Sequence, residues 1–353
     1  MLYPGGSGGA IAGKSEGSEA MDENSSGAVF PGQGAQRPGM GQDFCSVIPE
    51  SRRTYEEAAD ALGWDVAELC FAGDERLNLT EYTQPCILTT EIAMLRGLAA
   101  RWDFRPSCFG GHSLGEWTAL VAAGALPFAD ALRIVQERGR LMQRAVAPGV
   151  GAMTAVIAED LDPEIIENLL GDLTVDIANV NSSRQIVLSG EASAVAAAES
   201  RLGGSLADRP SLRFTRLNVS APFHSRLMGP ILTNFFGVLG DLNVQLDPVA
   251  AGRVTSNYRG GFHSGSGEEV REALILQISH TVRWRQNMAA LAERAAKILE
   301  IGPGRLLKNF FQTIGVECFS VTTFASAERA FAAEAKRQNS QSKERFDGFQ
   351  SER

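Results

Sequence analysis

Residues 108–124 read CFGGHSLGEWTALVAAG, and this stretch predicts a short buried strand, a sharp turn and a helix in succession. Residues 111–115 match the pattern G-x-S-x-G, with Ser113 at its centre. Glycines on both sides suit a strand-to-helix turn, because a Cβ at either position would crowd it. Such a turn lifts a serine hydroxyl off the sheet and points a helix N-terminus at any anion formed there. The alternative is a glycine-rich turn that contains a serine by chance.

Composition narrows the class of protein. The 353 residues suffice for one large domain or two modest ones, and the formal net charge of −9 argues against a general nucleic-acid binder. Five scattered cysteines, without the spacing of a zinc site, predict reduced thiols in a cytoplasmic protein and no bound metal. No apolar run is long enough to span a membrane.

The two ends of the chain differ in composition from its body. Residues 1–27 are rich in Gly and Ser and poor in apolar residues, which predicts a disordered N-terminal extension. Residues 334–353 are polar and charged, which predicts a C-terminal tail.

The body of the chain predicts two units. A strand at 28–30, helices near 50–62, 85–101 and 128–147, and a strand–loop–helix at 297–312 indicate a large α/β domain made of residues 28–149 and 220–330. The order of predicted elements changes after the sequence PGVG at 148–151. Residues 150–219 read β-α-β-β-α-β, which predicts an inserted small domain of the ferredoxin-like type.

A serine nucleophile needs a base, and the chain offers four histidines. His112 is next to Ser113, where neighbouring side chains diverge, and His263 lies in a glycine-rich stretch predicted to be mobile. His280 follows a helix pattern and could be a cap or surface group. His224 follows a strand exit that contains Pro222, a place where catalytic groups commonly sit, although a structural role stays open. No Asp or Glu stands out as its orienting partner; a backbone carbonyl or Gln277 could serve.

Arg138 is unusual for its position on a helix. On a helical wheel of residues 131–146 it falls in the middle of the apolar side. A buried guanidinium without a partner is costly. Two interpretations remain: a buried salt bridge with a protein carboxylate, or a site for a substrate carboxylate held by two hydrogen bonds.

Residues 31–34, PGQG, form a glycine-rich loop after the first strand. The loop lacks the Lys-Ser/Thr of a phosphate-binding P-loop. It could instead offer a backbone N–H to an oxyanion.

Taken together, these segments resemble the acyltransferase family that comprises malonyl-CoA:acyl carrier protein transacylases and the acyltransferase domains of polyketide and fatty-acid synthases. The resemblance covers about residues 27–327, and its motifs appear in order. They are FPGQGAQ at 30, TQP at 83, GHSLGE at 111, ERGRLMQ at 137, GAM at 151, NVNS at 179, APFHS at 221 and EIGPG at 300. The resemblance implies an α/β-hydrolase-like large domain with a parallel sheet, plus an inserted ferredoxin-like small domain.

The resemblance also implies a role for each catalytic residue. Ser113 would be the nucleophile and His224 the base, oriented by the main-chain carbonyl of Gln277. The backbone N–H groups of Gln33 and Leu114 would form the oxyanion hole.

For the substrate, the resemblance implies that Arg138 binds the free carboxylate of malonate. Phe223 beside the base matches a malonyl-selective rather than a methylmalonyl-selective pattern, and Asn179 and Asn181 match positions of the small domain near the cleft. Residues 280–282, HTV, stand where Asn-Pro-Val is common in bacterial members, so the shape of this loop stays open, as does that of residues 259–267.

The activity implied is ping-pong transfer of malonyl from coenzyme A to the phosphopantetheine thiol of acyl carrier protein. It needs no metal or redox cofactor and no nucleic acid or membrane, and we expect a monomer. The alternatives are a serine hydrolase or thioesterase, in which water accepts the acyl group, and a non-catalytic scaffold that binds a carrier protein.

Overall fold

The computed structural model describes residues 25–219 and 221–332. The predicted tail at 334–353 and nearly all of the predicted extension at 1–27 lie outside these residues. Ser26 and Gly27 already belong to the first strand, so that strand begins two residues before its predicted start at residue 28.

Strands and helices alternate along most of the chain. The strands are β1 (Ser26–Phe30), β2 (Cys108–Gly111), β3 (Gly151–Ile157), β4 (Val175–Ser182), β5 (Gln185–Glu191), β6 (Arg213–Arg216), β7 (Thr255–Ser256), β8 (Gly261–Phe262), β9 (Lys297–Ile301) and β10 (Cys318–Val321). The helices up to the small sheet are α1 (Gln42–Val47), α2 (Pro49–Leu62), α3 (Val66–Phe71), α4 (Thr80–Trp102), α5 (Leu114–Ala122) and α6 (Phe128–Arg144). The helices that follow are α7 (Pro163–Leu170), α8 (Ala192–Ser205), α9 (Leu232–Asp241), α10 (Pro248–Ala251), α11 (Gly267–Leu276), α12 (Trp284–Ala292) and α13 (Leu306–Gln312). Residues 324–332 are also helical.

The larger sheet is parallel, with the strand order β10-β9-β1-β2. Its register places Phe30 opposite Gly111, so β1 and β2 end side by side. The PGQG loop and the Ser113 turn therefore leave the same edge of the sheet, where parallel α/β sheets bind their ligands. The longest helix, α4, and the amphipathic helix α6 pack against each other beside this sheet.

The smaller sheet is antiparallel, with the order β4-β5-β3-β6. Its elements follow one another as β-α-β-β-α-β, and helices α7 and α8 cover one face over a separate apolar core. The prediction of an α/β fold with a parallel sheet and a ferredoxin-like insertion is confirmed.

Contacts from several segments join the smaller sheet to the rest of the chain. Val282 forms a parallel bridge to Asn179 of β4, and the Thr281 hydroxyl donates to the Ile177 carbonyl at 2.6 Å. The HTV segment thus continues the pairing of β4, and its threonine makes a hydrogen bond that a proline there could not make. Elsewhere, the Arg226 side chain pairs with Asp176 at 2.6 Å.

Some elements differ from their predicted bounds. Strand β10 was not predicted, because its burial does not alternate and it is only four residues long. Helix α6 ends at Arg144 rather than at residue 147. Within the described residues, no helix is both long and apolar enough to cross a membrane.

Candidate active site

Ser113 occupies a strained turn between β2 and α5. Its φ of 53° and ψ of −100° lie outside the regions that ordinary residues prefer. The two flanking glycines permit this turn: a Cβ on Gly111 would overlap the backbone of Gly115, and a Cβ on Gly115 would overlap the carbonyl of Phe30. The helix therefore begins in direct contact with the central strands, and the serine side chain faces the cleft at their ends.

His224 lies against Ser113. Its Nε2 is 2.8 Å from the Ser113 Oγ, and its Nδ1 is 2.8 Å from the main-chain carbonyl oxygen of Gln277. Since a carbonyl only accepts, Nδ1 carries the proton and Nε2 presents a lone pair to the hydroxyl. The orienting group is thus a backbone oxygen instead of a carboxylate.

The electrostatic surroundings keep the His224 imidazole neutral. The ring is buried, and burial together with the nearby Arg138 charge lowers the pKa of His224 to about 3. The lone pair on Nε2 is therefore available at neutral pH.

Arg138 projects from α6 into the same cleft. Its Nη1 donates to Gln84 Oε1 at 2.9 Å, and its Nη2 donates to Gln277 Oε1 at 2.8 Å and to Ser113 Oγ at 3.3 Å. Every one of these acceptors is neutral, and among the described residues the guanidinium forms no salt bridge. Its Nε also has no partner there. The buried salt bridge, one of the two interpretations from the sequence, is therefore wrong.

Burial lowers the pKa of Arg138 to about 10, and the nearby Glu116 opposes that shift. The guanidinium is thus cationic at neutral pH, only 1 % exposed and next to Ser113. Such a group is suited to an anionic ligand.

Gln33 and Leu114 border the cleft. Gln33 lies in the PGQG loop after β1, where its side chain donates to the Thr80 hydroxyl at 3.2 Å. Leu114 is the first residue of α5, where N–H groups have no partner within the helix. These two residues extend from adjacent strand ends toward the space beside Ser113.

The small sheet contributes the opposite wall. Asn181 Oδ1 is 2.8 Å from His112 Nε2. This contact links the two sheets, and it engages the His112 ring with Asn181 instead of with the Ser113 hydroxyl. Asn179 faces the cleft, and its Nδ2 has no partner among the described residues. Phe223 also lines the cleft, directly before His224.

Three buried polar residues that the sequence analysis did not assign complete the surroundings of Ser113. Glu116 accepts from Gln277 Nε2 at 2.5 Å, and Gln84 is the acceptor on Arg138 described above. Asn257 accepts the Ser113 N–H at 2.7 Å and donates to the Gly111 carbonyl at 2.7 Å. Glu116 and Gln84 lie inside the quoted motifs GHSLGE and TQP; Asn257 has no recognisable signal.

Two other histidines have distinct places. The prediction that His263 lies in a mobile loop is wrong: it is 3 % exposed and pairs with Glu116 Oε1 at 2.8 Å. His280 is exposed and bonds to the Leu276 carbonyl. The cleft that all these groups border has a volume of about 930 Å³, enough for a large ligand.

The Ser113 turn, the histidine oriented by a carbonyl and the buried cation share one cleft, which is the arrangement that acyl transfer through a serine ester requires. The chain belongs to the acyl transferase domain family, whose model matches residues 28–256. It is therefore an acyltransferase by family.

Curated relatives with one name are similar to nearly the whole chain. The malonyl CoA-acyl carrier protein transacylase of Bacillus subtilis strain 168 is 37% identical over 294 residues, 81% of this chain and 89% of that protein. The protein of the same name from Escherichia coli K12 is 36% identical over 291 residues, 81% of this chain and 91% of that protein.

Solved structures agree. The malonyl CoA-acyl carrier protein transacylase of Clostridium perfringens aligns with a TM-score of 0.81 and 32% identity, over 90% of this chain and 99% of that chain. A malonyl-transacylase solved in complex with a type II polyketide synthase acyl-carrier protein aligns with a TM-score of 0.79 and 34% identity, over 88% of this chain and 99% of that chain.

Proposed function

We propose that this chain transfers the malonyl group from malonyl-CoA to the phosphopantetheine thiol of acyl carrier protein through a malonyl ester of Ser113. The observation that carries the proposal is the uncompensated Arg138 guanidinium 3.3 Å from the Ser113 hydroxyl. A hydrolase of neutral acyl groups has no use for a buried cation there, whereas a malonyl group brings the missing carboxylate. Relatives at 36–37% identity bear the name of this activity.

The first half-reaction forms the acyl-enzyme. The malonyl carboxylate pairs with Arg138, which sets the thioester carbonyl carbon beside Ser113. His224 Nε2 takes the hydroxyl proton as Oγ forms a bond to that carbon. The C–S bond then breaks as His224 gives that proton to the departing sulfur, so coenzyme A leaves as the thiol and His224 is neutral again.

Negative charge develops on the acyl carbonyl oxygen in both half-reactions, in the thioester first and in the Ser113 ester second. The backbone N–H groups of Gln33 and Leu114 are the proposed donors to it, because both residues line the cleft beside Ser113. The N-terminal end of α5 adds its positive potential at the same point.

The second half-reaction reverses these steps with another thiol. The carrier's phosphopantetheine thiol gives its proton to His224 and attacks the malonyl ester, and Ser113 regains its proton as the ester C–O bond breaks. The cycle is ping-pong and consumes no other reagent.

Phe223 and the asparagines shape the rest of the site. A ring directly before the base leaves little room for a methyl group on the α-carbon, so malonyl-CoA is the expected substrate over methylmalonyl-CoA. Asn179 and Asn181, which holds His112, line the cleft and form the proposed wall for the acyl thioester.

Further attributes follow from the same proposal. Acid–base chemistry by Ser113 and His224 needs no metal or redox cofactor. The partners are malonyl-CoA and acyl carrier protein, without nucleic acid or membrane, and the expected state is a monomer. The cytoplasmic location expected from the cysteines stays a prediction.

The test is to incubate the protein with malonyl-CoA, with and without holo acyl carrier protein, and to measure malonyl-carrier and free malonate separately. The proposal expects malonyl-carrier in proportion to added carrier and little malonate. Rapid release of malonate without carrier would indicate a thioesterase instead. Carrier binding without turnover would indicate a scaffold.

A further inference from the structure

Two buried polar side chains beneath Ser113 come from one small hairpin. Strand β7 leads into Asn257 and strand β8 leads into His263. The His263 main-chain N–H donates to the Val254 carbonyl at 2.9 Å, and Phe109 of β2 donates to the Arg253 carbonyl at 2.8 Å. The hairpin is thus fixed to the strand that ends in the nucleophile turn.

The His263 side chain meets Glu116, in the first turn of α5. Both side chains are fully inaccessible to solvent, and His263 Nε2 lies 2.8 Å from Glu116 Oε1. His263 Nδ1 has no partner among the described residues. Because a proton on Nδ1 would be buried without an acceptor, the ring carries its proton on Nε2 and donates it to Glu116.

The other oxygen of Glu116 contacts residues beside Ser113. Glu116 Oε2 accepts from Gln277 Nε2 at 2.5 Å and from the Asn257 main-chain N–H at 3.1 Å. Gln277 Nε2 also donates to the Ser113 carbonyl at 3.1 Å.

Gln277 is the point where these contacts converge. Its side-chain oxygen accepts from Arg138, and its main-chain oxygen accepts from His224. One amide residue therefore sets the position of both groups that flank Ser113, and a buried carboxylate fixes that amide.

We propose that His263 is a positioning residue for acyl transfer: by donating to Glu116 it fixes the carboxylate that orients Gln277, and through Gln277 it aligns His224 with Ser113. The inference rests on the function proposed above. The G-x-S-x-G pattern does not require a histidine at position 263. The pair of His263 and Glu116 therefore differs in role from Ser113 and His224, which react directly.

The test compares His263→Leu, which removes the donor at similar volume, with His263→Gln, whose amide nitrogen can replace Nε2. His280→Leu is the matched control, since His280 is exposed and lies outside this network. Steady-state kinetics are measured with malonyl-CoA and holo carrier at a temperature where circular dichroism reports every variant folded. The wild type is first checked for a malonyl adduct on Ser113. Absence of the adduct would contradict the proposed function itself, whereas the kinetics of the variants test the role of His263.

We expect His263→Leu to lower kcat about 10- to 100-fold, the scale of a misplacement of about 1 Å. The KM for malonyl-CoA should change less than about threefold, because Arg138 keeps its bond to Gln84. His263→Gln should restore most of kcat, and His280→Leu should match the wild type. The double variant Glu116→Gln/His263→Leu should lose no more than the worse single variant, as for residues that act through one another.

A folded His263→Leu protein with wild-type kcat would overturn the proposal. So would a His263→Gln protein as slow as His263→Leu, or effects of Glu116→Gln and His263→Leu that simply multiply. A lower melting temperature with unchanged kcat would likewise assign His263 to stability alone.

Discussion

At the scale of single residues, burial decides the charge of the two groups beside Ser113. It lowers the pKa of His224 to about 3 and that of Arg138 to about 10. At neutral pH the first is therefore an uncharged base, and the second is a cation that forms no salt bridge among the described residues. A reaction on an anionic acyl group requires this combination of a neutral base and a nearby cation.

Replacing Arg138 tests the role of the cation. Arg138→Ala should lower kcat/KM for malonyl-CoA about 100-fold, because a hydrogen-bonded charge pair is lost. The preference over acetyl-CoA should relax or reverse, since the neutral chain no longer leaves a guanidinium unpaired. The assay is kcat/KM for malonyl-, methylmalonyl- and acetyl-CoA on both proteins.

Arg133→Ala on the same helix is the control, since Arg133 is exposed and pairs with Asp130. An unchanged ratio of malonyl to acetyl transfer in Arg138→Ala would make Arg138 a structural residue.

The lowered pKa of His224 predicts the pH dependence. The base form persists as pH falls below 6.5, the ordinary value of histidine, and is lost only toward pH 3. We expect kcat/KM for malonyl-CoA to stay level from pH 8 through 6.5, with the acidic limb below that value. Folding is followed at each pH by circular dichroism; an acidic limb centred at 6.5 or above in folded protein would refute the assignment.

The same shift has a cost in stability. The unfolded chain binds a proton on this histidine below about pH 6.5, whereas the folded chain does not. The contribution of His224 to the free energy of unfolding therefore falls as pH decreases from that value.

At the scale of elements, the turn between β2 and α5 depends on two close backbone approaches. Gly115→Ala would place a Cβ against the Phe30 carbonyl, so we expect a loss of about 3 kcal/mol or more in the free energy of unfolding, with loss of turnover. Gly237→Ala in α9 has open space around it and should be neutral or stabilise by up to about 1 kcal/mol. Urea unfolding compares the two; equal stability would mean that the turn tolerates a side chain.

The contact between α4 and α5 contains a buried acid. Glu91 accepts from the Thr118 hydroxyl at 2.5 Å, and burial raises its pKa well above the ordinary value. The folded chain therefore holds a proton there that the unfolded chain releases above about pH 4.5, so the contribution of Glu91 to stability falls as pH rises.

Glu91→Gln removes that dependence. Its free energy of unfolding, relative to the wild type, should be higher at pH 8 than at pH 5. Glu167→Gln, at an exposed position of α7, is the control and should show no such trend. A difference between Glu91→Gln and the wild type that does not change with pH would contradict a protonated Glu91.

Local patterns predicted much of this architecture, and the reason is physical. Glycine spacing at 111–115 and the alternation of elements in 150–219 reflect constraints within a few residues, so the Ser113 turn and the small sheet were predictable. Arg138 stood out because its helix is amphipathic, and the sequence left open whether a protein carboxylate pairs with it. His263 and Asn257 depend on partners about 140 residues away in the chain. No local pattern encodes such contacts. Strand β10 has only four residues, too few to show a periodic pattern.

At the scale of the whole molecule, the cleft lies between two sheets of different kinds. The parallel sheet delivers the nucleophile turn and the PGQG loop from adjacent strands, while β4 of the antiparallel sheet supplies the facing wall. The bridge between Asn179 and Val282 and the ion pair between Arg226 and Asp176 hold that wall beside the catalytic groups. Acyl transfer between two large thioesters fits a cleft that residues of both sheets line.

The most direct measurement is the intact mass of the protein after incubation with malonyl-CoA, for the wild type and for Ser113→Ala. The account predicts that the wild type gains the mass of one malonyl group, that added holo acyl carrier protein removes it, and that Ser113→Ala gains none while remaining folded by circular dichroism. A malonyl adduct that persists in Ser113→Ala, or a wild type that turns over malonyl-CoA without ever carrying the group, would contradict it.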